Sequence, residues 1–324
     1  MCTAATYKTR DFYFGRNLDL EYSYTESVTI TPRNFPFHFR CTGDMASHYA
    51  MIGIAFVESD YPLYYDAINE KGLCMAGLAF WHNAHYFPKT EGKDNVASFE
   101  LIPWILGQCA SVAEARPLLE KLNIADIAFT DELPPSALHW ILSDKECSVV
   151  IESTESGLHI YEDPYGVLTN DPPFEYHCLN LANYLMLSCE PVENHFAPSI
   201  DIPCYSKGMG AVGLPGDLSS ASRFVKAAFT RLHSVSGDSE AESVSQFFHI
   251  LGSVAQQRGV VHLEGNKYEI TNYSSCCNAD KGIYYYITYE NCRPTAVDMH
   301  RENLNGSELV SYSLRSGFDV YYEN

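Results

Sequence analysis

Apolar and polar positions alternate, or form short apolar runs, over the first 80 residues, and both patterns are typical of β-strands. Residues 1–24 predict a short strand, a turn near Arg10 and Asp11, and a second strand that returns toward the chain start. The continuous apolar runs at 50–57 and 73–80 predict two further strands. We therefore expect the first quarter of the chain to be mostly β-structure.

Helical patterns follow in the middle of the chain, and strand patterns return near its end. An apolar stripe of Phe224, Ala228 and Leu232 marks one helix, which Ser219 or Ser220 can cap. The predicted helices cover residues 99–108, a segment from 111, 175–187, a segment from about 219, and 240–257. The remaining predicted strands cover residues 137–143, 148–153, 282–289, 295–299 and 309–314.

The order of these blocks favours an α+β fold in which strands from both chain ends share sheets. No linker, low-complexity segment or internal repeat divides the sequence. A chain of 324 residues can bury a large core as one domain or as two. We expect a single domain that spans residues 1–324.

The chain is strongly acidic, since 21 Lys and Arg against 41 Asp and Glu give a formal net charge of −20. Nucleic acids and anionic membranes are bound through basic patches, so the composition argues against both partners. An anionic substrate would need a locally basic pocket. The sequence has no apolar run long enough to span a membrane, and residues 1–30 lack the pattern of an export signal. We expect a cytoplasmic protein.

The eleven cysteines are scattered along the chain without a C-x-x-C pair. An odd count without regular spacing argues against a disulfide framework and against a zinc site. His82 and His85 form an H-x-x-H, but Gly77 and Pro88 around it predict a loop rather than a helix that presents ligands. We expect neither a metal ion nor a cofactor.

Cys2 carries the most informative chemistry, because removal of Met1 would make it a free N-terminal residue. Its α-amino group, with a reference pKa of about 8, could then take the proton from its own thiol. A deprotonated thiol attacks acyl carbons well. A Met-Cys start also occurs by chance, so these two residues alone do not establish catalysis.

The predicted turn near residues 10–11 would return Arg16, Asn17 and Asp19 toward Cys2. A cation beside a thiol favours the thiolate, and a carboxylate beside an α-amino group holds and orients it. The same residues could instead form a surface pair that caps a turn. The spacing alone leaves both interpretations open.

Several longer motifs occur together and in one order over nearly the whole chain. They are residues 1–3 (MCT), 14–19 (FGRNLD), 69–73 (NEKGL), 166–170 (GVLTN), 213–217 (GLPGD), 222–224 (SRF) and 281–286 (KGIYYY). In these motifs the sequence resembles the choloylglycine hydrolases, a family that contains bile salt hydrolases and penicillin V acylases. The combination is far more specific than Cys2 alone.

The resemblance implies an N-terminal-nucleophile hydrolase with a four-layer αββα sandwich that cleaves a non-peptide amide. It implies that Cys2 is the nucleophile, that Arg16 lies beside its sulfur and that Asp19 holds its amino group. It further implies that the Asn170 side chain belongs to the oxyanion hole and that Arg223 is a second arginine near the nucleophile. Without the resemblance, Asn170 would be interpreted as a turn residue and Arg223 as a surface cation.

The sequence departs from the family pattern at Ala79, within residues 77–80 (GLAF). The resemblance implies asparagine here in bile salt hydrolases and tyrosine in penicillin V acylases, with the main-chain N–H serving the oxyanion hole. Alanine keeps that N–H, so we expect hydrolysis to survive and the preference for the leaving amine to change. We expect Phe80 and Trp81 to add apolar wall beside the smaller side chain.

A steroid-sized acyl group needs a broad, mostly apolar cleft, and the counterparts of the family's pocket loops are rich in apolar groups. Strand aromatics are more often core residues, so we expect about half of the candidates to face a pocket. Arg16 and Arg223 could attract the anionic group of a leaving amine. The candidate substrate-binding residues are Leu18, Tyr22, Tyr24, Tyr61, Tyr65, Phe129 and Leu133.

Three functions remain open from the sequence. The first is hydrolysis of glycine- or taurine-conjugated bile salts, which the absence of tyrosine at Ala79 favours. The second is acylase action on penicillin V or another N-acyl amine, such as an N-acyl homoserine lactone. The third is an acidic, tyrosine-rich binding protein that shares only the scaffold. The resemblance also implies a homo-oligomer, with a homotetramer as the expected form.

Overall fold

Strands and helices occur in blocks along the chain, as the hydrophobic pattern predicts. The computed structural model describes residues 1–324. The strands are β1 (Cys2–Lys8), β2 (Phe12–Leu20), β3 (Ser27–Thr31), β4 (Phe37–Phe39), β5 (Gly43–Met45), β6 (Met51–Glu58), β7 (Tyr61–Asn69), β8 (Cys74–Ala79), β9 (Asp94–Ala97), β10 (Leu122–Ala125), β11 (Leu138–Ser143), β12 (Ser148–Thr154), β13 (Gly157–Glu162), β14 (Val167–Leu168), β15 (Val261–Leu263), β16 (Lys267–Asn278), β17 (Ile283–Thr288), β18 (Thr295–Asp298) and β19 (Val310–Ser313). The α-helices are α1 (Leu101–Gln108), α2 (Val112–Lys121), α3 (Phe174–Asn180), α4 (Ser220–His233) and α5 (Glu240–Gly252).

Most strands belong to two large antiparallel sheets. The first has the order β14-β1-β2-β16-β17-β18, with β15 paired to β16, and the second has the order β13-β12-β11-β8-β7-β6-β3-β19. In the first sheet β2 pairs with β16, and in the second β3 pairs with β19. Strands from both chain ends therefore share sheets, which confirms the prediction.

Two apolar clusters separate four layers. The larger cluster, of 38 buried residues, lies between the two sheets and beneath α4 and α5. The smaller cluster, of 25 buried residues, lies between the second sheet and the helices α1 and α2. Because helices cover the outer face of each sheet, the fold is the predicted four-layer αββα sandwich.

The helices α4 and α5 begin at serine caps. The Ser219 side chain accepts the Ser222 N–H, and Ser239 forms a capping box with Glu242. The predicted stripe of α4 is wrong at Leu232, whose side chain is 55% exposed. The last turn, residues 229–233, has no buried residue, so the buried apolar face of α4 ends at Ala228.

The helix predicted over residues 175–187 is shorter in the structure. α3 ends at Asn180, and a 3₁₀ helix follows over Leu181–Tyr184. Leu185 and Met186 are exposed. An α-helix in a protein is stabilised mainly by packing of its apolar face, and these residues have no layer to pack against.

No helix of the chain has the length and apolar character needed to cross a bilayer. All eleven cysteines are unpaired. No group of three or more His, Cys, Asp or Glu side chains is arranged to hold a metal ion, and the H-x-x-H residues His82 and His85 lie in a loop between β8 and β9.

Candidate active site

Cys2 and Arg16 lie on one face of the β1–β2 hairpin. Cys2 pairs with Leu18 and Ala4 pairs with Arg16, and side chains of a strand alternate between its two faces. Cys2, Arg16 and Leu18 therefore point to the same side of the first sheet. Cys2 is 4% exposed and Arg16 is 1% exposed. The turn predicted by the sequence thus returns a buried arginine to the chain start.

A β-bulge in the second sheet faces this hairpin. Asp66 pairs with Ile54, whereas Tyr64 pairs with Ala55, so Tyr65 is an extra residue in β7 without a partner in the ladder. Bulges re-aim backbone and side-chain groups and occur often beside active sites. Here the bulge leaves the Tyr65 carbonyl free to bond outside its own sheet.

Arg16 takes up that carbonyl. Its Nη1 donates to the Tyr65 carbonyl at 2.9 Å and to the Gly77 carbonyl at 2.6 Å. Burial opposes the charge of the guanidinium, but the neighbouring Cys2, Tyr273 and Asp66 raise the pKa of Arg16 above its usual value. No protein oxygen accepts from its Nη2, so that nitrogen remains available to a sulfur or a substrate.

Arg223 joins the chain start to Asn170 from the first turn of α4. Its Nη1 donates to the Cys2 carbonyl at 2.5 Å and to Thr3 Oγ1 at 2.6 Å. Its Nη2 donates to Asn170 Oδ1 at 2.7 Å, and its Nε donates to the Leu218 carbonyl at 3.0 Å. Four of the five guanidinium N–H groups are therefore used inside the protein, which fixes the side chain rigidly.

All four polar atoms of Asn170 have hydrogen-bond partners. Its Oδ1 accepts the Cys2 N–H at 2.8 Å, and its Nδ2 donates to the Ala79 carbonyl at 2.8 Å. Its main-chain N–H donates to Ser220 Oγ, and its carbonyl accepts from His177 Nε2 at 2.9 Å. Burial lowers the pKa of His177 to about 4, so the ring is neutral and carries its proton on Nε2. A side-chain amide has two N–H groups, so one remains for an oxyanion.

Asp19 lies beside the amino group of the chain start. Its carboxylate accepts from Thr271 Oγ1 at 2.6 Å and from Gln256 Nε2 at 3.4 Å. The Met1 amino group donates to the Asp19 carbonyl at 2.8 Å and contacts the Glu269 carboxylate. Burial lowers the pKa of this amino group, and the charges of Cys2 and Asp19 oppose that effect.

A buried cysteine, two buried arginines and an asparagine therefore converge from β1, β2, α4 and the segment after β14. This geometry accompanies a match of residues 2–312 to the family model described as linear amide C–N hydrolases, choloylglycine hydrolase family. The chain belongs to the choloylglycine hydrolase family. As a member of this family, it is a hydrolase of linear amides.

Known proteins are similar to this chain over all or nearly all of its length. A bile salt hydrolase/transferase from Lactiplantibacillus plantarum is 54% identical, with 100% of both chains covered. The crystal structure of the mutant C2A conjugated bile acid hydrolase from Clostridium perfringens is 36% identical, with 100% of both chains covered and a TM-score of 0.92. Penicillin V acylase from Agrobacterium tumefaciens, at 19% identity, shares the fold with a TM-score of 0.75 over 98% of this chain and 95% of its own.

Ala79, where the chain departs from the family pattern, ends β8 next to Asn170. Its carbonyl accepts the Asn170 side-chain N–H, so its backbone belongs to the same cluster. Phe80 is fully buried and stacks on His139 with ring centroids 4.3 Å apart. It therefore cannot form the open apolar wall that the sequence suggested. Trp81 is 60% exposed and can contact a ligand.

The seven candidate substrate-binding residues fall into separate groups. Leu18 belongs to the larger apolar cluster, which includes Cys2, and Tyr65 packs against that cluster. Tyr61 packs against the smaller cluster and contacts Phe129, with ring centroids 5.6 Å apart. The remaining candidates are Tyr22 and Tyr24, which are exposed and in contact, and Leu133, which closes a turn with Phe129.

Sequence reasoning missed two groups around this site. One is the pair His177 and Ser220, which hydrogen-bond to the backbone of Asn170 and which no local sequence pattern indicates. The other is Asp66, directly after the bulge residue Tyr65. A single acidic residue within the strand of residues 61–69 was the available signal for it, because a charge in a buried strand needs partners.

Proposed function

We propose that this protein hydrolyses the amide bond of glycine- or taurine-conjugated bile salts, with Cys2 as nucleophile after removal of Met1. The observation that carries the proposal is the convergence of Cys2 with Arg16, Arg223 and Asn170. The names of the aligned relatives, bile salt hydrolase/transferase and conjugated bile acid hydrolase, support the substrate class. The mature chain, residues 2–324, is proposed to act as one domain.

In the first half-reaction the α-amino group of Cys2 takes the proton of its own thiol. The sulfur attacks the amide carbon, a C–S bond forms, and the carbonyl electrons move to oxygen. Collapse of this intermediate breaks the C–N bond. The leaving nitrogen takes the proton from the α-ammonium group, and glycine or taurine departs while the bile acid remains as a thioester.

In the second half-reaction the same amino group takes a proton from water, which attacks the thioester carbon. The C–S bond then breaks, the bile acid leaves, and the proton returns to the sulfur. Asp19 is proposed to orient the Cys2 amino group, as the family resemblance implies; while Met1 is still present, the Asp19 charge acts on the Met1 amino group. Arg16, with its free Nη2, is proposed to stabilise the thiolate.

The oxyanion of each tetrahedral intermediate needs preorganised donors. We assign this role to the second side-chain N–H of Asn170 and to the main-chain N–H of Ala79. Arg223 and the Ala79 carbonyl fix the Asn170 amide from opposite sides. The donor is thus held in place before the substrate arrives, so no reorganisation is required when charge develops.

The substrate assignment is tested by measuring initial rates on taurocholate, glycocholate and penicillin V with the same enzyme preparation. We expect kcat/KM to be greatest for a conjugated bile salt. Negligible bile salt cleavage together with fast penicillin V turnover would reject the assignment in favour of an acylase. Intact-mass analysis of the same preparation should show loss of Met1, and an active enzyme that retains Met1 would contradict the mechanism.

Cys2→Ser tests the nucleophile. We expect kcat to fall by about 10³-fold or more, because a hydroxyl is far less ionised than a thiol and the group lies at the reacting atom. Circular dichroism and thermal unfolding should match those of the unsubstituted protein, since the volumes are similar. Retention of most of the rate in Cys2→Ser would exclude Cys2 as the nucleophile.

The family resemblance supports a homo-oligomer, with a tetramer as the proposed form, in the cytoplasm. Light scattering coupled to size-exclusion chromatography measures the mass directly. A 36.4 kDa chain predicts a species four times heavier for the tetramer. A monomer at micromolar concentration would contradict this part of the proposal without affecting the chemistry.

A further inference from the structure

Asp66 is a buried acidic residue that the proposed mechanism does not use. It follows the bulge residue Tyr65 in β7, and its side chain is 0% exposed. A charge without partners is costly in an apolar interior. Its surroundings therefore show what this carboxylate does.

Three hydroxyl groups of the first sheet donate to Asp66 across the space between the sheets. Tyr273 reaches Oδ1 at 3.0 Å, and Tyr284 reaches Oδ2 at 2.5 Å. Ser275 lies 3.4 Å from Oδ2 and accepts the main-chain N–H of Arg16 at 3.0 Å. Neither tyrosine hydroxyl has another partner, so an ionised Asp66 is the state that satisfies all three protons.

The charge of Asp66 acts on Arg16. Asp66 is one of the groups that raise the pKa of Arg16. In return, Arg16 opposes the rise that burial imposes on the pKa of Asp66. The bulge makes this arrangement, because it turns the Tyr65 carbonyl toward Arg16 while the next residue supplies the anion. Two groups that can carry a negative charge, Asp66 and the sulfur of Cys2, therefore both act on Arg16.

We propose that Asp66 is a positioning residue, a buried counter-charge that limits how strongly Arg16 stabilises the Cys2 thiolate. This inference rests on the proposed role of Cys2 as nucleophile. A cation that is not offset holds a thiolate too tightly, and a thiolate stabilised in this way is a weaker nucleophile. Tyr273, Tyr284 and Ser275 keep the carboxylate ionised and in place.

Other ionisable groups lie around Cys2 and around Asp66. The substitution of Asp66 replaces none of these residues. Around Cys2 they are Arg16 and Asp19 on β2, Arg223 on α4, Tyr65 on β7 and the amino group of the chain start. Around Asp66 they are Arg16 on β2, Tyr273 and Cys277 on β16, Tyr284 on β17 and Cys74 on β8.

Asp66→Asn removes the charge and keeps the shape. The measurement is the rate of Cys2 alkylation by iodoacetamide as a function of pH, with Cys2 identified by the mass of its N-terminal peptide. Without the counter-charge, Arg16 favours the thiolate more strongly. We expect the half-maximal pH of alkylation to fall by about half a unit or more, and the plateau rate to decrease because the thiolate is less nucleophilic. The acidic limb of kcat/KM should move in the same direction.

Asp163→Asn is the matched control. Asp163 is also buried and accepts main-chain N–H groups, from Tyr165, Gly166 and Val167, and the charge nearest to it is that of Arg231. This substitution also replaces one buried carboxyl group by an amide but leaves the surroundings of Arg16 alone. Its alkylation profile should coincide with that of the unsubstituted protein.

An Asp66→Asn protein that folds, loses activity and keeps the original alkylation profile would overturn the proposal, because packing alone would then explain the loss. A shift of the alkylation profile to higher pH would also overturn the proposal.

If Asp66→Asn does not fold, the double variant Tyr273→Phe, Tyr284→Phe replaces it. With one hydroxyl donor left, Asp66 becomes neutral more readily and the profile should again move to lower pH; an unmoved profile rejects the proposal. Failure of the proposed function is seen separately, as activity that survives Cys2→Ser.

Discussion

Ala79 is where a single side chain is expected to decide specificity rather than rate. The backbone of this residue takes part in the site through its carbonyl, which accepts from Asn170, and its N–H is the proposed second oxyanion donor. Both groups are present whatever the side chain. We therefore expect the side chain to act on specificity, through the leaving amine, rather than on the oxyanion donors.

We predict that Ala79→Asn changes the ratio of kcat/KM values for taurocholate and glycocholate by about tenfold, because a polar side chain gains or loses one contact with the leaving amine. The kcat on the better substrate should stay within about threefold, since the backbone donor remains. Ala79→Ser is the control, because serine adds a polar side chain that is shorter than that of asparagine. Equal losses on both substrates would show instead that the side chain disturbs the oxyanion donors.

Which site residues the sequence identifies depends on how far apart their partners lie along the chain. Arg16 and Cys2 are joined by one hairpin, so a local pattern suffices to bring them together. Arg223 and Asn170 reach Cys2 over separations of 221 and 168 residues. Their roles came from the family resemblance, because neither a turn asparagine nor a helix arginine reveals its distant partner.

At the scale of elements, the position of the bulge in β7 depends on its neighbour β6. Gly53 on β6 pairs with Ala67, two residues after the bulge residue, and a Cβ atom there would come 2.0 Å from the Asp66 carbonyl oxygen and 2.7 Å from the Ala67 Cα. Both atoms are backbone, so neither can rotate away. The absence of a side chain at Gly53 is what lets β6 pass the bulge.

We predict that Gly53→Ala lowers the free energy of unfolding by about 1–3 kcal/mol, because the strands must separate to admit the methyl group. The shift would move the Tyr65 carbonyl away from Arg16, so activity should fall as well. Gly252→Ala is the control, since a Cβ at this last residue of α5 meets nothing within 4 Å. Urea unfolding followed by tryptophan fluorescence measures both variants, because Trp104 and Trp140 are buried in the folded protein. A Gly53→Ala protein as stable as the control would contradict the close approach.

The strands and helices were largely predictable, whereas this bulge was not. Alternating positions predicted the β1–β2 hairpin, and serine caps predicted the start of α4, because both depend on neighbours in sequence. A bulge depends on the register between two strands, which the pattern of β7 alone does not contain. The predictions of a helix over 175–187 and of a buried Leu232 were wrong for a related reason. The surrounding layers decide where an apolar face stays covered.

For the whole molecule, the positive charges of the site are buried, whereas the chain around them is acidic. Arg16 and Arg223 are buried, and the chain as a whole carries a net charge of −20. Four of the five Arg223 N–H groups are already used inside the protein, and Arg16 is offset by Asp66. Neither arginine is exposed, so an approaching anionic conjugate first meets a mainly acidic surface.

We predict from this balance that KM for taurocholate falls about two- to threefold when NaCl is raised from about 10 mM to about 150 mM, because salt screens the repulsion between the acidic protein and the sulfonate. Initial rates must be measured below the concentration at which the bile salt forms micelles. A neutral amide of the same bile acid is the control, and its KM should not change. If KM for taurocholate instead rose with salt while the control stayed constant, a local basic field at the entrance would outweigh the net charge of −20, and the buried arginines would have to be felt at the surface.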